Sequence, residues 1–434
     1  MRVSVLITLL PVLVSGRKLA RRGPVVSYEG HKVYRVQTPE GESALERRVA
    51  GLRATLVEDH HPETWIDVIV EPESVTDFEA LNLDSEVLHE NLARDIEAEA
   101  VHKPYTSKQR QASDAPGLPS IEYFDSYHPY AEHIDFLEDL VAAFPNNAEM
   151  IVAGESYEGR EIQGIHVWGA SGNTTKQAVY WHGTTHAREW ISAMTSEYQL
   201  YQMVAGYLAG DEDVVAILDT YEFYLIPFVN PDGFIHTQTT ERLWRKNRQP
   251  RCNETCIGTD LNRNWPQNWA LPGGSSDDPC SQTFRGLRES DTPEVTSLTK
   301  HVLATAEAHP GGIKWFVDWH SYSQLVLLPY GHDCSARAHN HEYQMMLGAG
   351  IVDQIEAVNG TEYVYGPNCQ TLYPITGGSA DFVFDNANAE VSWLIELTPN
   401  SAGAGGFILP PERILPTVTE MWEGVRWVLK ELTA

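Results

Sequence analysis

Apolar positions in the first hundred residues recur with two different periods. HKVYRVQTP (31–39) and WIDVIV (65–70) show the alternation of half-buried strands. Leu45, Val49, Leu52 and Leu56 instead fall at helical spacing, in a stretch opened by Glu42 and Ser43. A short helix over 74–83, a strand over 86–91 and a helix over 92–100 complete a small, acid-rich α+β module without cysteine.

From residue 121 onward longer helical and strand patterns take turns. Helices are predicted over 130–144, 191–208, 294–308, 342–358 and 411–432, and strands over 149–156, 161–169, 178–183, 221–229, 313–320 and 391–397. The strands at 221–229, 313–320 and 391–397 are apolar enough to be buried on both faces, so a large, mixed, mostly buried sheet with helices on both faces is the economical α/β architecture. Between the two regions, residues 102–120 are polar, hold three prolines and show no periodicity, as an exposed linker would. Lys103, Lys108 and Arg110 lie where a trypsin-like protease could reach the backbone.

Composition narrows the function classes. Sixty acids against 31 bases give a formal charge of −29, which repels phosphate backbones and anionic lipid, so neither nucleic acid nor a membrane is expected as a partner. Met1-Arg2, the apolar run 3–14 and Ser15-Gly16 read as a secretory signal, too short to span a bilayer. Secretion permits disulfides among Cys252, Cys256, Cys280, Cys334 and Cys369, an odd number, and makes Asn173, Asn253 and Asn359 candidate glycosylation sites.

Candidate chemistry gathers at predicted strand ends. His186 and Glu189 stand three apart just beyond the strand 178–183, and a loop or opening helical turn there would aim both at one ion. His320 ends another apolar strand, with Asp318 facing the same side two residues earlier. Glu396 lies among apolar neighbours in VSWLIELTP, where a desolvated carboxylate is costly unless it is paired or does chemistry. Arg242, Arg245 and Arg263 crowd a predicted strand-to-loop transition after FVNPDG, and guanidinium groups suit carboxylates and oxyanions.

Taken in order, HAREW, NPDG, RLWRKNR, DLNRNW, HSYSQ, YPITGGSADF and IEL resemble the secreted, pancreatic-type branch of the zinc metallocarboxypeptidases over about the last three quarters of the chain. The resemblance implies that family's fold and one Zn2+ per chain, held by His186, Glu189 and His320. It implies Glu396 as general base and acid, Arg245 as stabiliser of the scissile carbonyl, and Asn262, Arg263 and Tyr373 as the clamp for a terminal carboxylate. Arg188, Tyr322 and Phe407 would line more remote subsites, and His182 is expected to be structural.

The same resemblance puts Ala380 at the floor of the specificity pocket, where the branch preferring Lys and Arg carries an acid. With Leu372, Ile375 and Leu394 nearby it implies release of hydrophobic, including aromatic, residues. Cys256 should pair with Cys280 and Cys334 with Cys369, leaving Cys252 over. The expected organisation is a signal peptide over 1–16, an activation propeptide with an antiparallel sheet over 17–101, a linker over 102–120 cut near 110–112, and a catalytic domain over 121–434. Such a protein would be a secreted, monomeric zymogen that meets peptide C-termini as substrates and an endoprotease as activator. The alternative is a catalytically silent peptide-binding homologue of the same fold.

Overall fold

The computed structural model describes residues 25–57, 65–106, 117–170, 172, 176–251, 256–400 and 405–433. The expected signal peptide, the cleavage region at 110–112, Asn173, Cys252 and Asn253 lie outside the described residues.

The amino-terminal module is a four-stranded antiparallel sheet in the order β2-β3-β1-β4. Its strands are β1 (Lys32–Gln37), β2 (Ala54–Val57), β3 (Trp65–Val70) and β4 (Ser85–His89), with helices α1 (Glu42–Val49), α2 (Val75–Glu79) and α3 (Leu92–Glu99). Alternation sends Tyr34, Val36, Ile66, Val68 and Val70 to one face, where Leu45 and Val49 of α1 and Phe78 of α2 cover them. The helical spacing expected to run through Leu56 stops at Val49, because Gly51 takes a positive φ of 90° that reverses the chain into β2. Leu52 and Leu56 still join the same cluster.

The opposite face of this sheet carries Val33, Arg35, Trp65, Asp67 and Ile69. Where the pattern suggests half-buried strands, this face is covered too: Val33 packs with Leu92 and Ile408, and Trp65 and Ile69 lie with Val57, Tyr322 and Phe407. The cover comes from α3 and from the larger unit, so β1 is buried on both sides.

That larger unit holds an eight-stranded mixed sheet in the order β11-β10-β12-β9-β7-β8-β6-β5. The strands are β5 (Ala148–Glu155), β6 (Glu161–Val167), β7 (Ala178–Gly183), β8 (Glu222–Ile226), β9 (Ile313–Ser323), β10 (Leu325–Leu328), β11 (Val364–Pro367) and β12 (Val391–Asn400). Neighbours among the central four, β12, β9, β7 and β8, run parallel. The chain leaves β7 for β8 on one side and comes back to β9 on the other, and that reversal opens a crevice at the carboxyl ends of the strands.

Helices cover both faces. Val179, Trp181, Trp315, Val317, Trp319, Trp393 and Ile395 point to the side of α4 (Tyr130–Ala143), α5 (Trp190–Ala209), α6 (Glu212–Thr220), α9 (His341–Asn359) and α12 (Ile414–Thr433). Tyr180 and Phe316 point to the other side, against Val295, Leu298 and Val302 of α8 (Pro293–Ala308) and Phe382 and Val383 of α11 (Ser379–Asn386). By the same parity His182, Asp318, His320 and Glu396 belong to the second side, which carries fewer helices. The NPDG motif is no turn: Asn230 accepts from the Gly233 N–H at 3.0 Å and caps α7 (Pro231–Thr239), with Pro231 at the first helical position. The arginine-rich segment therefore follows a helix. Cys256 bonds Cys280 and Cys334 bonds Cys369, as the resemblance implies.

Candidate active site

Three side chains converge where β7 and β9 end. His186 Nδ1 lies 2.7 Å from Glu189 Oε1, His320 Nδ1 lies 3.0 Å from Glu189 Oε2, and the two Nδ1 atoms are 3.0 Å apart. The residues from 184 to 189 form no regular element, and Glu189 is the residue before α5, so the short loop turns the His186 and Glu189 side chains towards His320 of β9.

The distal ring nitrogens are held by carboxylates. His186 Nε2 lies 3.0 Å from Asp260 Oδ1, and His320 Nε2 lies 3.0 Å from Asp318 Oδ1. The His186 ring therefore spends its Nε2 hydrogen on Asp260, and the Asp318 carboxylate beside His320 Nε2 favours the same tautomer there, so that both Nδ1 atoms turn inward, the arrangement that orients metal-binding imidazoles. Two bare nitrogens and a carboxylate facing one another repel unless a cation lies among them. Ligand atoms around a tetrahedral zinc at about 2.0–2.1 Å stand roughly 3.3 Å apart, so the observed 2.7–3.0 Å separations need only a few tenths of an ångström of adjustment. The residues fit the metal.

Electrostatics agree with the geometry. Burial opposes ionisation of Asp260, yet Arg245, His186 and Arg263 hold its carboxyl well below the usual range. Asp318 is likewise held well below that range against its burial, by His182 and His320. Burial also opposes a charge on His320, but Asp318 and Glu189 push its pKa well up. The cluster is built to attract positive charge.

Glu396 and His320 are register partners on adjacent parallel strands, so Glu396 lies beside the His186, Glu189 and His320 group. It is half-buried rather than sealed among its apolar neighbours, because the strand's carboxyl end opens on the crevice. Arg245 is buried and gives Nη2 to Asp260 Oδ2 at 2.8 Å, while its Nη1 lies 3.9 Å from Glu189 Oε1. Asn262 and Arg263 form a short 3-10 turn capped by Asp260, which accepts from the Asn262 N–H at 2.9 Å. Arg263 is 1 % exposed, its Nη2 reaches Tyr373 Oη at 3.4 Å, and its buried Nε finds no hydrogen-bond acceptor among the described residues. A carboxylate would satisfy it.

A second group lies at the rim. The Arg188 guanidinium sits 4.1 Å above the Phe407 ring, and Tyr322 meets Phe407 edge-on at 4.9 Å. The amino-terminal module caps this group: Asp67 pairs with Arg35 at 2.8 and 2.9 Å and accepts from the Tyr322 hydroxyl, to which Arg35 also donates at 3.2 Å. Arg242 belongs here and not with Arg245 and Arg263, since it holds Glu99 of α3 at 2.6 and 2.7 Å and the carbonyl of Phe407 at 2.8 Å.

Ala380 lines a small cavity with Ile375, Leu394 and Asn262, and Leu372 packs on Ile375 and Leu394. Asp381 borders it too, but its carboxylate is taken by the Gly331 and His332 N–H groups and by His332 Nδ1. His182 lies 3.1 Å from Asp318 and outside the ligand set. Among the candidate sequons, Asn359 is exposed at the end of α9, its amide donating to Glu420 at 3.1 Å. Asp260 escaped the sequence reading, as did Arg35, Asp67 and Glu99. The one signal for Asp260 is its position two residues ahead of Asn262.

Residues 133–424 match the family described as zinc carboxypeptidase. A metallocarboxypeptidase A-like protein of Trichophyton verrucosum is 40% identical over 420 residues, 94% of each chain. Two crystal structures, each 25% identical, are similar: thrombin-activatable fibrinolysis inhibitor, with TM-score 0.81 over 94% of this chain and 99% of that one, and carboxypeptidase A of Helicoverpa armigera, with TM-score 0.76 over 94% and 98%.

Proposed function

The chain belongs to the zinc carboxypeptidase family of hydrolases, which act on peptide C-termini, and from that premise we propose that it is a zinc exopeptidase releasing hydrophobic and aromatic C-terminal residues. The observation that carries this reading is the inward-turned pair of Nδ1 atoms with Glu189, each imidazole fixed by a buried carboxylate and Glu396 in register beside them.

His186, Glu189 and His320 would hold the ion. Bound there, zinc supplies Lewis-acid chemistry, polarising a peptide carbonyl and acidifying water. Glu396, open to the crevice, takes the proton of the attacking water and passes it to the leaving amine. Arg245, pinned by Asp260 and aimed past Glu189, stabilises the negative charge that develops on the carbonyl oxygen. Arg263, with Asn262 and Tyr373, receives the terminal carboxylate through its unsatisfied Nε edge, so an internal peptide bond has nothing to fill the clamp.

The apolar lining at Ala380 supports A-type specificity, because the one acid on the border of its cavity, Asp381, is already engaged by three donors. The amino-terminal module covering Tyr322 and Phe407 supports synthesis as a zymogen with a propeptide over 17–101, opened by an endoprotease near 110–112. Secretion of a monomer, after removal of 1–16, is part of the same proposal, and no described helix is long and apolar enough to cross a membrane.

Blocked dipeptides ending in Phe, Leu or Arg test the reading on the cut protein, before and after dialysis against a chelator and again with zinc restored. Loss and recovery of Phe and Leu release is expected. Activity indifferent to metal, or faster release of Arg, overturns it.

A further inference from the structure

A second set of ligand-bearing side chains lies at the junction of the two units. His102 follows α3 in the segment that leaves the amino-terminal module, and His128 and Glu132 flank the start of α4. His102 Nε2 lies 3.0 Å from Glu132 Oε2 and 3.1 Å from Oε1, and His128 Nδ1 lies 2.9 Å from Oε2. The ligand atoms of all three fall within 4.8 Å of one another.

The protons on His128 are the decisive detail. Its Nε2 lies 2.7 Å from the carbonyl oxygen of Tyr123, so the ring donates there, and a stacked Tyr123 ring 4.1 Å away fixes its plane. A buried neutral imidazole has one hydrogen to give, and that one is spent. Its Nδ1 therefore presents a lone pair to a carboxylate oxygen that already accepts from the Tyr105 N–H at 2.8 Å. Two acceptors at 2.9 Å repel unless a cation is shared between them. A proton would serve the His128 and Glu132 pair alone. A divalent ion would serve His102 as well, and His102, at the surface, leaves a coordination position open to water.

We propose that His102, His128 and Glu132 form a second transition-metal site that fastens the segment leaving the amino-terminal module to the first turn of α4. Two imidazoles and one carboxylate suit zinc or a neighbouring first-row ion, and not calcium, which takes six to eight oxygens. The ion would tie residue 102 to the unit that carries α4, upstream of Lys108 and Arg110, whether or not the module inhibits.

Metal counting on the full chain tests the site. The parent protein, loaded with zinc and dialysed, is expected to retain two ions per chain, and His102→Ala one. Glu132→Gln, which keeps an acceptor for Tyr105, is also expected to retain one. Each variant, once cut, should keep the cut parent's hydrolysis of a small substrate, which establishes that it is folded and that the first centre is loaded. Cobalt in place of zinc should give a visible absorption band at the second equivalent in the parent and none in the variants. One ion per chain in the parent overturns the proposal and assigns the shared cation as a proton. Two ions in parent and variants alike overturn it as well.

Discussion

Two aspartates govern how the histidines behave. Asp260 takes the distal ring hydrogen of His186, and Asp318 lies 3.0 Å from the distal nitrogen of His320, itself fixed by the hydroxyls of Thr185 at 2.9 Å and Ser379 at 2.6 Å. Changing Asp318 to Asn frees the His320 tautomer and should weaken zinc affinity about 10–100-fold, measured by competition with a chromogenic chelator. An unchanged affinity would show that the aspartate does not orient the ligand. Glu396→Gln keeps the size of the side chain but removes the proposed base, so kcat should fall about 10²–10⁴-fold with the metal content unaltered. Activity retained in that variant would move the proton chemistry elsewhere. At this scale the sequence was readable where a polar residue lies in or just beyond the carboxyl end of an apolar strand pattern, as at His186, His320 and Glu396. Asp260 was opaque, because its partners, His186 and Arg245, lie 74 and 15 residues away and only folding brings them to it.

Long elements were legible from period alone, since α5, α9 and α12 and the strands β7, β9 and β12 each carry enough apolar positions to fix their face. The four-residue strands β10 and β11 were not, and neither was α7, whose Asn-Pro-Asp-Gly start is equally a turn signal until the cap on Gly233 forms. Element ends also set one pH dependence. Glu294 lies in the first turn of α8, where the helix dipole favours its charge by about 0.3–1 kcal/mol. Burial outweighs that, and also the N–H groups of Tyr157 and Asn247 at 2.9 Å, and raises its pKa to about 7. In the unfolded chain a glutamate titrates near about 4.3. The folded state thus binds the proton more tightly, so this contribution is complete below the unfolded value and is lost as pH rises through about 7. The stability of Glu294→Gln relative to the parent should therefore rise by about 3 kcal/mol between about pH 4 and about pH 8, read from urea midpoints. A pH-independent difference would contradict it.

For the whole molecule, the docking of the amino-terminal module rests on buried charge. Arg35, Asp67 and Tyr322 form one contact and Glu99 with Arg242 another, and removing one member of such a pair costs about 3–5 kcal/mol. Asp67→Asn should raise kcat/KM of the uncut chain toward a peptide and leave the cut enzyme unchanged. Equal activity of the uncut parent and variant would mean that this contact does not restrain the site. This architecture was half legible: alternation in β1 and β3 marked a strand's two faces, but nothing local says that the second face is covered by another unit. The central claim is that a metal centre and an arginine clamp together make a C-terminal exopeptidase. Its most direct measurement is mass spectrometry of one peptide ending in Phe, offered to the cut, zinc-loaded protein as the free acid and as the C-terminal amide. The account predicts stepwise loss of single residues from the free acid and almost none from the amide, whereas internal cleavage, or equal trimming of both, would contradict it.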